Sequence, residues 1–186
     1  MANFDSKHVK NVVLVGHTGS GKTTLTESML FEAGLINRRG TILDKNTVAD
    51  YTDIEHEKGK TFFSKLVYTK WKDYKINLLD TPGYDDFAGE IIGAMRVADC
   101  GLMLLNSAMG VEVGTDIIWT YTDEYKLPML LAVNHLDNEK SDFDKTVREA
   151  KAHFGNNVVV VQYPVNQGEK FDAIVDVLNM VMYKYP

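Results

Sequence analysis

The sequence predicts an α/β fold, a mostly parallel sheet with one antiparallel strand and helices on both faces. Three observations carry this expectation. Short apolar runs alternate with segments of helix length, the pattern of parallel strands joined by right-handed crossovers. One pair of runs, Phe62 to Trp71 and Tyr74 to Leu79, is linked only by Lys72 and Asp73. That link is too short for a crossover, so the pair is antiparallel. The 186 residues are 45% hydrophobic and 25% charged, ordinary globular composition that argues against disorder.

In chain order, the strand candidates are Asn11 to Val15, Phe62 to Trp71, Tyr74 to Leu79, Gly101 to Leu105, Met129 to Val133 and Val158 to Val161. A helical stretch, Thr24 to Ala33, follows the first of them. Gly34 to Lys60 is polar, carries Asp53, Glu55, Glu57 and Lys58, and shows no sustained period. A loop this long in a small domain is usually functional, and it reads as a switch that orders around ligand. Phe87, Ile91 and Met95 mark the inner face of a second helix, and Val113, Ile117, Tyr121 and Tyr125 that of a third. Phe143, Val147, Ala150 and Phe154 mark a fourth, with Ser141 as its N-cap. These stripes read as core. With no repeat and no Pro/Gly-rich linker, residues 1–186 are expected to form one domain.

The chemistry sits at the strand ends. Gly16-His17-Thr18-Gly19-Ser20-Gly21-Lys22-Thr23 matches GxxxxGK[ST] and lies between a strand and a helix, the context a P-loop requires. Its glycines let backbone N–H groups turn onto a β-phosphate, helped by the positive end of the following helix. Lys22 reaches the β- and γ-phosphates, and the Thr23 hydroxyl suits Mg²⁺. Asp80-Thr81-Pro82-Gly83 closes the strand KINLLD. Asp80 is placed to hold Mg²⁺ through water, and Gly83 allows the backbone to approach a γ-phosphate.

Asn134-His135-Leu136-Asp137 closes the strand MLLAV in the position of NKxD, the motif of a guanine reader. The Asp137 carboxylate would accept from guanine N1–H and its exocyclic amine, a donor pair that adenine lacks. Asn134 would tie this loop to the P-loop. His135 replaces the usual Lys, whose stem lies against the base, and its imidazole offers a ring to stack there. The nucleotide-contacting set is thus Gly16 through Thr24, that is Gly16, His17, Thr18, Gly19, Ser20, Gly21, Lys22, Thr23 and Thr24, then Asp80, Thr81, Pro82 and Gly83, then Asn134, His135 and Asp137. The ligands are GTP or GDP with Mg²⁺.

With these residues in place the sequence resembles a translational GTPase, and most of all the GTP-binding domain of elongation factor G. The likeness runs through GHTGSGKTTLTE, DYTDIEHEKGKTFFS, INLLDTPGYDDF, GVEVGT, NHLD and QYPVNQGEKFDAIVDVL. EHEKGKT corresponds to the family's ERGIT switch, so the resemblance makes Thr61 a second Mg²⁺-binding hydroxyl beside Thr23 and Asp80. It implies Lys22, Thr61 and Tyr84 as the catalytic group and the ribosome, through large-subunit RNA and factor-binding proteins, as partner.

Three departures stand out. Gly19 replaces an acidic P-loop residue, Lys60 replaces the switch isoleucine, and Tyr84 replaces the DTPGH histidine that positions the attacking water. They point to a divergent elongation-factor-G-like paralogue. In the family, the stretch matching Gln162 to Leu178 precedes an inserted subdomain and a last guanine-binding loop, so the chain is expected to be the front of a longer protein. The rival reading makes Phe171, Ile174, Val175 and Leu178 a closing helix, with Asn166 to Gly168 as a poor fifth loop.

Bulk properties narrow the alternatives. A net charge of −6 gives no basic face for nucleic acid or membrane, so any RNA contact is local. No apolar run is long enough to span a bilayer, and MANFDSKHVK has no secretion core. The single cysteine, Cys100, suits a reducing cytoplasm and reads as a small buried residue, and the histidines lack zinc spacing. A cytoplasmic monomer is expected. Hydrolysis of GTP on the ribosome is the leading reading. The alternative is a GTP-sensing module with little or no hydrolysis, because Tyr84 replaces the histidine. A P-loop kinase is a third class, opposed by DTPG, by NHLD and by the want of an arginine-rich lid.

Overall fold

The computed structural model describes residues 4–185. Met1 to Asn3 and Pro186, the ends of the domain expected over 1–186, lie outside them. The main sheet is built from β1 (Val9–Val15), β2 (Lys65–Trp71), β3 (Tyr74–Asp80), β4 (Cys100–Asn106) and β5 (Met129–Asn134), in the order β2-β3-β1-β4-β5. β2 and β3 pair antiparallel across Lys72 and Asp73, and every other pair is parallel, as the sequence implied.

Central position explains composition. In β1 the consecutive residues Val13, Leu14 and Val15 are all 0% exposed, because both faces of this strand are covered. Val13 and Val15 join Met103 and Leu105 of β4 on one face. There they meet Ile91 and Met95 of α3 (Ala88–Met95), Ile118 of α4 (Val113–Tyr125), and Ala150 and Phe154 of α5 (Phe143–Phe154). α1 (Lys22–Glu32) covers the other face, where the Thr69 hydroxyl of β2 donates to the Met29 carbonyl.

Several expected details change. The Val113, Ile117, Tyr121, Tyr125 stripe of α4 is buried only in part: Tyr121 and Tyr125 pack against the core but Val113 is 73% exposed, and the fully buried face is Gly114, Thr115, Ile118 and Thr122. Threonine fits there because its hydroxyl is satisfied locally, Thr122 donating to the Ile118 carbonyl at 3.2 Å. The N-cap of α5 is Asp142, which accepts from the Lys145 N–H at 2.8 Å; the Ser141 hydroxyl donates instead to the Leu136 carbonyl. Cys100 is half-buried rather than buried.

The strand expected from Phe62 begins only at Lys65, because the Phe62 and Phe63 N–H groups donate to the Glu55 carboxylate at 3.1 and 3.4 Å. Val158 to Val161 is not a strand of the main sheet. It follows the end of α5 and forms no ladder with β5, the last strand of the main sheet; the Val161 carbonyl instead accepts from the Val177 N–H at 2.9 Å. The chain then forms a separate antiparallel sheet, β6 (Gln162–Pro164), β7 (Ala173–Asp176) and β8 (Val181–Lys184). Ile174 and Val175 are therefore strand residues, which overturns the closing-helix reading.

The long polar segment from Gly34 to Lys60 is anchored at both ends by buried carboxylates. Glu27 of α1 is 1% exposed and accepts from the Gly40 and Val48 N–H groups. Further on, the short helix α2 (Asp53–Lys58) is capped by Thr52 and Glu55, with Glu55 accepting from the Thr52 N–H at 3.3 Å and its hydroxyl at 2.7 Å.

Candidate nucleotide-binding site

β1 delivers the chain into the Gly16–Thr23 loop, and α1 starts at Lys22 with Gly21 as its N-cap at φ 98°. Only glycine takes that backbone comfortably, and a Cβ there would also strike the Asn134 amide. Lys22 is 7% exposed and donates to the Gly16 and His17 carbonyls at 2.7 and 3.1 Å. Burial lowers its pKa to about 8, against the opposing pull of Asp80 and then Glu112. A buried ammonium in this state gains from an anion beside it.

The Asp80 turn comes up beside this loop. Asp80 is 0% exposed, and neither carboxylate oxygen has a hydrogen-bond partner among the described residues. Burial raises its pKa to about 7, with Lys22 resisting. A buried, unpartnered carboxylate is costly unless a further group satisfies it. Thr81 locks the turn by donating to the Leu14 carbonyl at 2.7 Å. Gly83 is needed for close approach, because a Cβ would lie 2.6 Å from Lys22 Nζ and 2.7 Å from the Thr18 backbone.

The switch supplies the third wall. Thr61 Oγ1 lies 3.2 Å from Thr23 Oγ1, so two residues 38 apart in the chain present their hydroxyls to one point. Asp50 is 4% exposed with one unpartnered oxygen, its pKa raised by burial against a Thr61 hydrogen bond. Two hydroxyls and a free carboxylate make an all-oxygen donor set, which fits Mg²⁺ rather than a softer metal. Among the described residues no group of three His, Cys, Asp or Glu is arranged for a metal. Ser20 Oγ is a further buried polar atom without a partner beside the same loop.

The base loop is fastened to the P-loop at two points. Asn134 Nδ2 donates to the Ser20 carbonyl at 2.8 Å, the tie expected from sequence. His135, in the left-handed region at φ 59°, places Nε2 3.1 Å from the Gly19 carbonyl, so the ring is engaged with the loop instead of standing free. Ser107 holds the loop from beneath by donating to the His135 carbonyl. Asp137 is exposed at the outer end. Gly168, in the poor fifth loop, donates to the Leu136 carbonyl at 2.8 Å and so packs behind this motif.

Thr18, Gly19, Lys22, Thr23, Thr24, Lys60, Thr61, Gly83, Tyr84 and His135 thus line one cavity of about 250 Å³. A larger groove of about 430 Å³ beside β5 and α5 is lined almost wholly by aliphatic side chains and offers no chemistry for phosphate. Sequence reasoning did not single out Asp50, although it opens the DYTDIEHEKGKTFFS stretch. It also missed the Glu55–Lys65 ion pair, 2.9 Å long with both side chains at most 5% exposed. No spacing rule joins residues ten apart across a loop.

The elongation factor Tu GTP binding domain family covers residues 7–184. This chain belongs to that family. Within it, an elongation factor G-like protein of Thermotoga maritima is 36% identical over 179 residues, which is 96% of this chain and 26% of that protein. The mitochondrial ribosome-releasing factor 2 of Drosophila melanogaster is 39% identical over 175 residues, 94% of this chain and 24% of the relative. A crystal structure of a Thermus thermophilus protein superposes with a TM-score of 0.91 at 34% identity, covering 96% of this chain and 27% of that one. The elongation-factor-G likeness read from the motifs therefore holds, and the chain spans about a quarter of the length of the relatives it matches. No helix among the described residues is long and apolar enough to cross a membrane.

Proposed function

We propose that this chain is the guanine-nucleotide module of a ribosomal translation elongation factor, binding GTP and GDP with Mg²⁺ and hydrolysing GTP. The observation that carries this reading is the meeting of Thr23 and Thr61 hydroxyls at 3.2 Å, beside Lys22 and the unpartnered Asp80. A P-loop that only made a turn would have no use for a buried carboxylate left open.

The roles follow from the geometry. Gly16 to Thr24 cradle the phosphates through backbone N–H groups, with Lys22 as the fixed charge. Thr23 and Thr61 would hold Mg²⁺ directly and Asp80 through water. When bound, that ion neutralises charge on the β- and γ-phosphate oxygens. Asn134 and His135 brace the base loop on the P-loop, and Asp137 reads guanine. We further assign the chain to a longer protein whose partner is the ribosome, on the strength of relatives about four times its span, and, from the sequence reading alone, to the cytoplasm as a monomer.

The test is base preference. Leaving the Asp137 carboxylate unpaired against adenine costs about 1–3 kcal/mol or more, so GDP should bind well ahead of ADP. Asp137→Asn should weaken GDP and improve xanthine nucleotide binding. Equal affinity for ADP and GDP in the unaltered protein points instead to a kinase.

Tyr84 favours a second reading, in which the module senses GTP and hydrolyses it slowly. A phenol is a poor proton acceptor at pH 7 and carries no positive charge. Losing a positioned acid–base group typically costs about 10²–10⁴-fold in rate. Single-turnover cleavage on ribosomes separates the two readings.

A further inference from the structure

Two of the three departures from the family pattern meet in space. Lys60 Nζ lies 4.3 Å from the centroid of the Tyr84 ring, on the wall of the phosphate cavity. The backbone holds it there from both sides. Gly59, at φ 62°, ends α2 and donates to the Glu55 carbonyl at 2.7 Å, and Lys60 N–H donates to the same carbonyl. On the other side, Thr61 is docked on Thr23. The side chain has free solvent available, yet it folds inward over an aromatic face. Among the described residues no carboxylate pairs with it, whereas Lys58, Lys65, Lys145 and Lys184 all find one.

Over the tyrosine face Lys60 keeps its charge, and with one donor on the Tyr84 hydroxyl the others remain for a third party. Lys22 and Gly83, the groups assigned to the terminal phosphate, share the cavity with Lys60, as does Thr61, assigned to Mg²⁺. We propose that Lys60 is a built-in second cation for that phosphate, with Tyr84 as its positioning platform. This rests on the reading of the cavity as a GTP site. In hydrolysis, the water oxygen bonds to the γ-phosphorus while the bond to the β–γ bridging oxygen breaks. The electron pair stays on GDP and the water protons pass to phosphate and solvent. Lys60 counters the negative charge spread over the γ-oxygens and bridging oxygen during that exchange. Contacts of the Tyr84 hydroxyl with Lys60, and then with Thr18, hold the phenol below its usual pKa, as a nearby ammonium should.

The proposal separates two jobs for Tyr84. A platform needs the ring, whereas a water-orienting group needs the hydroxyl. Affinities for GDP and a non-hydrolysable GTP analogue, and single-turnover cleavage on ribosomes, should therefore be compared in Lys60→Met, Lys60→Arg, Tyr84→Phe and Tyr84→Leu. Lys60→Met should bind the analogue about tenfold more weakly, the scale of one charge-assisted bond, with GDP held within about twofold. Its cleavage rate should fall about 10²-fold, as for loss of one preorganised donor. Lys60→Arg should keep most of both properties, Tyr84→Phe should keep the analogue-to-GDP affinity ratio, and Tyr84→Leu should lose that ratio as Lys60→Met does. An unchanged analogue-to-GDP ratio in Lys60→Met overturns the proposal, as does Tyr84→Phe losing as much of that ratio as Lys60→Met. Failure of the GTP site itself would show differently, as GDP binding that survives Lys22→Ala.

Discussion

Glu55→Gln is expected to loosen the switch more than any surface change in it. Glu55 is 1% exposed and its carboxylate gathers the Thr52 N–H and hydroxyl, the Phe62 and Phe63 N–H groups, and the Lys65 ammonium at 2.9 Å. The amide keeps one acceptor, turns an NH₂ toward donors, and strands a buried lysine. Removing one partner of a buried pair costs about 3–5 kcal/mol. Lys65 retains the faces of Tyr51 at 4.1 Å and Phe63 at 5.5 Å, which offset about 1 kcal/mol. The net loss should be about 2–4 kcal/mol, or about 4–16 °C in Tm for a chain of this size. Urea denaturation measures it, with hydrogen exchange at Phe62 and Phe63 reporting whether the switch opens first.

The same residue has a pH signature. Burial pushes the Glu55 pKa up, but its donors, led by Thr52 and then Lys65, outweigh this and hold it below the usual glutamate value. A depressed carboxylate contributes stability that is full above the unfolded value and lost as pH falls through the folded one. The unaltered protein should therefore lose stability more steeply than Glu55→Gln in acid below the ordinary glutamate range. Adding Lys65→Met should recover part of the loss, since it removes the stranded charge. A Glu55→Gln protein within about 1 kcal/mol of the original, with unchanged exchange at Phe62, refutes the reasoning.

Lys22→Ala removes the fixed charge under the phosphates and should abolish GDP binding; titration calorimetry checks it. Thr23→Ala should leave the fold intact, because its hydroxyl faces the cavity beside Thr61 and Asp80, while nucleotide affinity loses its dependence on Mg²⁺ in chelator titrations. Tyr84→His should raise ribosome-stimulated single-turnover cleavage, by up to about 10²–10⁴-fold if hydrolysis is slow for want of an acid–base group. A starting rate already equal to that of ordinary elongation factors defeats the slow-GTPase reading.

What the sequence determined by itself is local. The P-loop, the Asp80 turn and the Asn134 loop are each a few contiguous residues whose glycines, hydroxyls and carboxylates sit at strand ends, so their chemistry can be read without a fold. The β2–β3 hairpin was legible for the same reason, a link too short for any other path. The tertiary structure alone decided which distant groups meet. Glu27 reaches Gly40 and Val48, and Glu55 draws in Phe62, Phe63 and Lys65. Lys60 lies over Tyr84. None of these pairs leaves a period or a motif, whereas the meeting of Thr61 with Thr23 was already implied by the switch motif. Val158 to Val161 makes the same point from the other side, for its four valines favour a strand, yet no ladder forms on β5, the edge of the sheet. Hydrogen bonds within a turn are set by adjacent residues, whereas burial of a charge or pairing of a strand depends on what the rest of the chain brings alongside.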